Sequence, residues 1–291
     1  MKDVWKSINQ IQSDCDLSDS KVANILSLSL NRFQQVRKNS GVLNVEAVLN
    51  FIHYFGIDPD RFIAGVIDFK ALASSYTGNS ILPERYLYSA FSRKRTAATV
   101  VRYAEEVFGK QESLRLLRRL QIPADALLDL EGLTNVWLVT DICNEFAKRF
   151  GSNRLIHVGM YSSNLNTTEA VNSSFQGCAS PVEVFEKGVL EITPKYFDTN
   201  FDYKIEFLDK ERCVIASRPS ERLKEGMKNF KPGSMEISLY RTGTFATFLS
   251  FAGFHPEKAQ LLTSIYEGSD ACRHEISFQQ RQNYPCRRFS K

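Results

Sequence analysis

The stretch SDSKVANILSLSLNRFQQVRKN, residues 18–39, predicts two short helices joined by a tight turn. Apolar residues recur in its first half at the spacing of one helix face, namely Val22, Ala23 and Leu26. Ser29 stands where it can cap the second helix, and Phe33 and Val36 would anchor that helix to a core. We therefore expect a second helix that is fixed on one side and polar on the other.

The polar side of the second helix carries side chains that can hydrogen-bond base edges from the major groove. Base contacts are expected from Asn31, Arg32 and Gln35. Four further residues lie at helix ends or on the outer face, where phosphates are bound, and these are Ser18, Lys21, Ser29 and Lys38. The segment predicts a helix-turn-helix reader of double-stranded DNA. The alternative is a helical adaptor for other proteins, whose polar face is simply solvated.

The flanking sequence predicts three more helices. Residues 2–15 have an apolar stripe, Asn44 can cap a helix that ends at Gly56, and Asp58 with Pro59 opens a short one. We expect residues 1–66 to form an all-α, five-helix, helix-turn-helix domain.

This region resembles the DNA-binding domain of the lambda repressor/Cro (XRE) class. The resemblance rests on Ala23 at the tight packing position, the SLS turn, and the closing phrase FGIDPDRF. It implies sequence-specific DNA binding as a dimer. Two features depart from the class: Ser27 stands where the turn usually has glycine, and the domain has seven basic residues against seven acidic ones. A neutral domain must collect its positive charge on one side or depend on pairing to bind phosphates.

The chain of 291 residues, 43% of them hydrophobic, is long enough for a second domain. Breaker residues around Thr77 to Ser80 predict a linker over residues 67–92, with the boundary near Asn79. Six scattered cysteines form no CxxC pair, so neither a disulfide framework nor a zinc module is indicated. There is no signal-peptide pattern and no apolar run near the roughly 20 residues that cross a bilayer. We expect a cytoplasmic protein without membrane contact.

Residues 93–291 predict an α+β domain for ligand sensing or dimerisation. Helices are expected over 93–109, 111–120 and 134–150. Residues 203–207 and 213–216 predict a hairpin across LDKER, and two further strands are expected around Gly268. Residues 155–159 and 182–193 also have a β-rich pattern.

The end of this domain, YEGSDACRHEISF, together with the order of long helix, paired strands, helix and closing hairpin, resembles a ligand-binding superfamily. That superfamily includes 4-vinyl reductase, haem-nitric-oxide-binding and transport-particle subunit domains. It implies a sensor-like domain and a small-molecule ligand, without transferring any binding residue. From the residues themselves, an anionic ligand would meet Arg115, Arg118 and Arg119, and aromatic residues such as Trp137 and Phe248 could enclose an apolar pocket.

Motifs for catalysis and metal binding are missing from the sequence. There is no GxSxG, phosphate-loop, HExxH or CxxC pattern. Cys272 and His274 would share one strand face, but two ligands are too few for a structural zinc site. We expect no enzyme activity, no metal and no cofactor. The sequence as a whole predicts a homodimeric transcriptional regulator. The alternatives are a protein adaptor and a haem- or metal-dependent sensor.

Overall fold

The computed structural model describes residues 2–39, 41–77, 82–226 and 233–279. The chain divides into two compact units. The first contains Met1–Leu87 and Ala104–Leu130, and the second contains Tyr88–Tyr103 and Glu131–Lys291.

The first unit is helical. Its helices are α1 (Lys2–Asp14), α2 (Asp19–Ile25), α3 (Leu30–Lys38), α4 (Val45–Phe55), α5 (Pro59–Ile63), α6 (Phe69–Thr77), the end of α7 (Lys94–Phe108) and α8 (Lys110–Arg119), with 3-10 turns at Glu84–Tyr86 and Ala124–Leu127. The predicted caps Ser29 and Asn44 are in place, and Ser18, which was predicted as a phosphate contact, caps α2. Ser18, Ser29 and Asn44 accept hydrogen bonds from the backbone N–H groups three residues ahead, and Gly56 ends α4 in the left-handed region.

The core of this unit forms beneath α2 and α3. Phe33 is fully buried and its ring centroid lies 6.0 Å from that of Trp5, whose indole N–H donates to the carbonyl of Gly41 at 2.8 Å. Val22, Ala23 and Leu26 are buried as their spacing predicted. The predicted five helices over residues 2–63 are therefore present, and α2 and α3 both lie within residues 18–39 as expected.

The units differ from the predicted domain boundaries. Residues 67–92, predicted as a linker, contain α6, whose Leu72 belongs to the first core. Asp68 caps this helix by accepting from the N–H of Ala71 at 2.9 Å, and its own N–H donates to Gln121 at 3.3 Å. The linker prediction rested on the breaker residues, which follow α6, and it therefore wrongly included the helix that precedes them. The predicted boundary at Asn79 lies outside the described residues.

The second unit combines helices with an antiparallel sheet. Its helices are the start of α7, α9 (Val136–Phe150), α10 (Leu155–Met160), α11 (Ser163–Asn166), α12 (Glu169–Phe175), α13 (Pro181–Lys187), a π-helix (Gly188–Phe197), α14 (Glu221–Gly226), α15 (Met235–Ala246) and α16 (Phe248–Phe251), with 3-10 turns at Ser152–Arg154 and Ile265–Glu267. A short ribbon pairs β1 (Ser92–Arg93) with β2 (Leu133–Thr134). The main sheet has the order β3 (Phe201–Leu208), β4 (Arg212–Pro219), β6 (Cys272–Phe278), β5 (Pro256–Thr263). The predicted α+β class and both predicted strand pairs are present.

Two β-rich predictions were wrong. Residues 155–159 lie in the helix α10, and residues 182–193 lie in α13 and the π-helix. Both segments bury one helix face: Leu155 and Val158 are fully buried in the first, and Val184, Phe185 and Val189 in the second. Short apolar runs rich in valine and isoleucine fit a strand and a helix equally well, so the sequence pattern did not distinguish the two.

Helices α10 and α15 cross in very close contact because each has a glycine at the crossing. A Cβ atom on Gly159 would lie 2.0 Å from the carbonyl oxygen of Tyr240, and one on Gly243 would lie 1.9 Å from that of Ile156. This contact fixes α15 against the rest of the unit. In the part of the chain that is described, no helix is both long enough and apolar enough to cross a bilayer.

Candidate functional site

Helix α3 presents a polar surface to solvent. Asn31, Arg32, Gln35 and Lys38 are exposed, whereas Phe33 and Val36 are buried beneath them. The hydroxyl of Ser29 accepts from the N–H of Arg32 at 3.3 Å, and that of Ser18 accepts from the N–H of Lys21 at 3.2 Å. The two serines predicted at phosphates are thus helix caps whose side chains remain at the surface.

Two basic residues near this surface have internal partners. Arg37 donates to the carboxylate of Asp19 at 2.8 Å and joins α3 to α2. Asp19 also accepts from Gln12 at 2.7 Å, so it connects both helices to α1. Lys21 lies 5.3 Å from the ring centroid of Tyr54. Since Asp19 is neutralised by Arg37, Arg32 and Lys38 contribute most of the net charge at this surface.

The three arginines predicted to bind an anion lie on α8 of the first unit. Arg115 is paired with Glu112 at 2.6 Å on the surface. Arg118 lines a groove with Tyr54, Phe55, Leu72 and Tyr76. Arg119 interacts with other residues, so it is not a free cation. The structure does not gather these arginines around one enclosed site.

The second unit contains a largely apolar cavity of about 60 Å³. Helices α9 and α15, the π-helix and the start of β3 supply most of its wall. The residues that line it are Ser92, Thr96, Val136, Val139, Asn166, Thr193, Phe197, Asp198, Tyr203, Ile237, Tyr240, Arg241, Thr244, Phe245 and Phe248. Of the two aromatic residues predicted at a pocket, Phe248 lines this cavity and Trp137 is not among the lining residues.

A buried charged group stands in the cavity wall. Arg241 is 6% exposed, its Cζ lies 3.8 Å from the ring centroid of Phe201, and one Nη donates weakly to Asp198 at 3.4 Å. Asp198 also accepts from the hydroxyl of Tyr203 at 2.6 Å and from the backbone and side-chain nitrogens of Asn200 at 2.8 and 2.9 Å. Burial acts to lower the pKa of Arg241, but the neighbouring Tyr203 and Asp198 raise it overall, so the guanidinium stays charged.

Next to this group, His274 is fully buried and hydrogen-bonded through both ring nitrogens. Nδ1 lies 2.8 Å from the hydroxyl of Thr242, and Nε2 lies 3.0 Å from that of Ser217. The Thr242 hydroxyl donates its own proton to the carbonyl of Ser238, so it accepts from Nδ1–H, and Nε2 accepts from Ser217. Burial, followed by the charge of Arg241, lowers the pKa of His274 well below its ordinary value.

Two features of the described residues bear on metal and haem binding. Among them, no group of three or more His, Cys, Asp or Glu side chains could hold a metal ion. Cys272 lies beside the hydroxyls of Ser238 and Ser264, whereas His274 contacts those of Thr242 and Ser217. Neither histidine nor cysteine is among the described residues that line the cavity, and its volume is less than half of the roughly 150 Å³ that admits benzene. Haem does not fit this cavity.

Sequence reasoning missed Arg241, Asp198, Tyr203 and Asn166. The sequence did contain a signal for Arg241, because it is the only Asp, Glu, Lys or Arg in residues 237–256. A lone charge within so apolar a stretch is either exposed or buried with a partner, and buried charges mark functional sites more often than apolar residues do. Its partners come from a distant part of the chain and left no local pattern.

Comparisons with known proteins give a weak likeness to solved structures. No family model and no curated protein matches the sequence. Among solved structures, an Fe(II) unliganded H-NOX protein from K. algicida matches with a TM-score of 0.45 and 8% identity, over 66% of this chain and 99% of that chain. Its A71G mutant matches with a TM-score of 0.46 and 8% identity, over 65% of this chain and 98% of that chain. A likeness at this level assigns neither a cofactor nor an activity to the chain.

Proposed function

We propose that this protein is a DNA-binding transcriptional regulator whose second unit binds a small molecule. The observation that carries the proposal is the exposed polar face of α3, held from below by Phe33 and Val36. In a helix-turn-helix, a recognition helix must be rigidly supported while its polar side remains free to enter the major groove. The capped α2 and the Asp19–Arg37 ion pair support α3 in that way.

The charges at this surface favour DNA over a neutral partner. On α2 and α3 the one acidic residue is Asp19, and Arg37 neutralises it. Arg32 and Lys38 then face solvent and form no ion pair with the described residues, and Asn31 and Gln35 supply hydrogen-bonding groups beside them. This combination suits phosphate contacts by Lys38 and base contacts by the other three.

The regulator is proposed to act as a homodimer. The first unit has an apolar groove lined by Trp5, Leu43, Val45, Leu49 and Ile63 among others, in which Val45 is 74% exposed and Ile63 is 79% exposed. Apolar exposure of this kind indicates a protein surface partner, and a second copy would place two α3 helices on one DNA duplex. A concentration-dependent change in mass by light scattering supports the dimer, whereas a constant monomer mass contradicts it.

Selection from a pool of random duplexes tests the DNA-binding role. The full chain is incubated with the pool at about 50 mM salt, and an enriched duplex is titrated by fluorescence anisotropy at several salt concentrations. We expect Arg32→Ala to weaken binding of the selected duplex by about 10- to 100-fold. Lys38→Ala should weaken all duplexes alike and reduce the salt slope by about 1.

Arg102→Ala is the matched control, because Arg102 is an exposed arginine on α7 and far from α3 in sequence. It should bind as the parent does. Equal losses for the variants at Arg32 and Arg102, or the absence of any enriched duplex, would contradict the proposal. In that case capture of a protein by the groove at Val45 and Ile63 would favour the adaptor alternative.

A further inference from the structure

Arg241 has hydrogen-bonding capacity that the described residues do not use. Its second Nη is buried and has no hydrogen-bond partner in the structure. The weak bond to Asp198, at 3.4 Å, is long for a charge-assisted hydrogen bond. A buried guanidinium with an unsatisfied donor is costly to the folded state unless another group completes its pairing.

Asp198 cannot supply the missing pairing. One of its oxygens accepts both bonds from Asn200, and the other accepts the hydroxyl of Tyr203 at 2.6 Å in addition to the bond from Arg241. Four donors on one carboxylate leave little capacity for the free Nη of Arg241. The cavity wall therefore presents a positive charge that its own carboxylate satisfies only in part.

A second polar group in the wall is also unsatisfied. Asn166 is 6% exposed, and its side-chain oxygen is buried without a hydrogen-bond partner. Other polar residues of the wall are satisfied internally: Thr193 donates to the carbonyl of Gly188 at 2.7 Å, and Ser92 lies 2.6 Å from the amide nitrogen of Asn200. The cavity thus offers one unused cationic donor and one unused acceptor.

The size and the remaining lining limit what can bind. The cavity measures about 60 Å³ and its apolar wall includes Val136, Val139, Phe245 and Phe248. At roughly 10–15 Å³ for each water-sized group, a cavity of this volume holds about four to six non-hydrogen atoms, so the guest is no larger than a three-carbon hydroxy acid. It must also carry an anion for Arg241 and a donor for Asn166.

We propose that this cavity binds a short-chain hydroxy-carboxylate, with the carboxylate on Arg241, the hydroxyl donating to Asn166, and the short carbon chain against Phe245 and Phe248. This inference rests on the proposed role of the second unit as a small-molecule binding domain, and it specifies the chemical class of the ligand. The carboxylate completes the pairing of the guanidinium, and the hydroxyl satisfies the amide oxygen.

Calorimetric titration of the full chain tests the ligand class. The probes are sodium lactate, 2-hydroxybutyrate, propionate and chloride, with phenol as a neutral compound. We expect saturable binding of lactate, binding of propionate that is about 10-fold weaker because it lacks the hydroxyl, and no saturable heat with chloride. Arg241→Gln should weaken lactate by at least about 100-fold, and Arg241→Lys should recover part of the loss because it restores the charge.

Variants of Val139 test the cavity without touching the arginine. Val139→Leu adds one methylene to the wall and should weaken 2-hydroxybutyrate more than lactate, whereas Val139→Ala should do the reverse. Arg102→Gln removes an exposed charge of the same unit and should leave all affinities unchanged. These comparisons remain informative if Arg241→Gln fails to fold.

The outcomes separate the ligand class from the proposed function. Binding of phenol, with no carboxylate bound by the parent, would overturn the hydroxy-carboxylate while leaving a small-molecule site in place. Equal affinity for propionate and lactate would overturn the role of Asn166. Failure of every probe, in a protein that still selects a DNA duplex, would overturn the carboxylate proposal and remove the support for ligand control.

Discussion

The close contact between α10 and α15 makes a sharp prediction about stability. In Gly159→Ala, the new Cβ would lie 2.0 Å from the carbonyl oxygen of Tyr240, which is about 1.3 Å closer than a carbon and an oxygen normally approach. The obstacle is backbone, so the helices must separate. Strain of about 3 kcal/mol, at the upper end for overpacking, is offset by about 1 kcal/mol because alanine favours a helix over glycine. We expect a net loss of about 2 kcal/mol.

The two tryptophans allow each unit to be followed separately. Trp5 lies in the first unit and Trp137 in the second, and the chain has no other tryptophan. In a Trp5→Phe background, urea unfolding monitored by the remaining fluorescence reports the second unit. A loss of about 2 kcal/mol corresponds to a melting temperature lower by about 4–8 °C for a unit of this size.

Gly226→Ala is the matched control, since its Cβ would meet the side chain of Ser89, with the hydroxyl at 2.7 Å and the Cβ at 3.2 Å, and no backbone atom. It should change stability by no more than about 0.5 kcal/mol. If Gly159→Ala were as stable as this control, the close crossing of α10 and α15 would be refuted.

Two further predictions concern the buried histidine and the turn between α2 and α3. His274 has a lowered pKa in the folded protein, so below pH of about 6.5 the unfolded chain takes up a proton that the folded chain does not, and stability falls as the pH falls. The difference in unfolding free energy between the parent and His274→Gln should shrink by about 2 kcal/mol from pH 6.5 to 5, and a constant difference across that range would contradict the assignment. Ser27 has a φ of 56°, where glycine is favoured, so Ser27→Gly should stabilise the first unit by about 0.5 kcal/mol despite losing the bond from Asn50. Urea unfolding followed by Trp5 fluorescence in a Trp137→Phe background measures this change in unfolding free energy. A loss of stability would show that the hydrogen bond from Asn50 to Ser27 outweighs the backbone strain at Ser27.

The helices of the first unit were predictable because their signals are local. Ser29 and Asn44 cap helices by contacts three residues away, and Gly56 ends α4 through its own backbone conformation. The lack of glycine at position 27 did not prevent the turn, because Ser27 adopts the left-handed conformation itself. Helix propensity and helix capping depend on interactions within a few residues, so they can be predicted from a single sequence.

The candidate cavity could not be predicted in the same way. Asp198, Tyr203 and Arg241 come from the π-helix end, β3 and α15, and their contact depends on how those elements pack. The three arginines of α8 were conspicuous in the sequence, yet they lie on a helix surface where Arg115 pairs with Glu112. A cluster of like charges in sequence is usually a solvated face, whereas a site is assembled by residues distant in the chain.

Three consecutive residues of α15 face three different neighbours, because successive helical residues point about 100° apart. Arg241 faces the cavity, Thr242 binds the buried His274, and Gly243 touches the backbone of α10. A carboxylate that binds Arg241 therefore acts on a helix whose other sides are already fixed by a hydrogen bond and a backbone contact. Movement of α15 would break the hydrogen bond between Thr242 and His274 or separate α15 from α10. The ligand should therefore act chiefly by stabilising the packed arrangement of this unit rather than by displacing the helix.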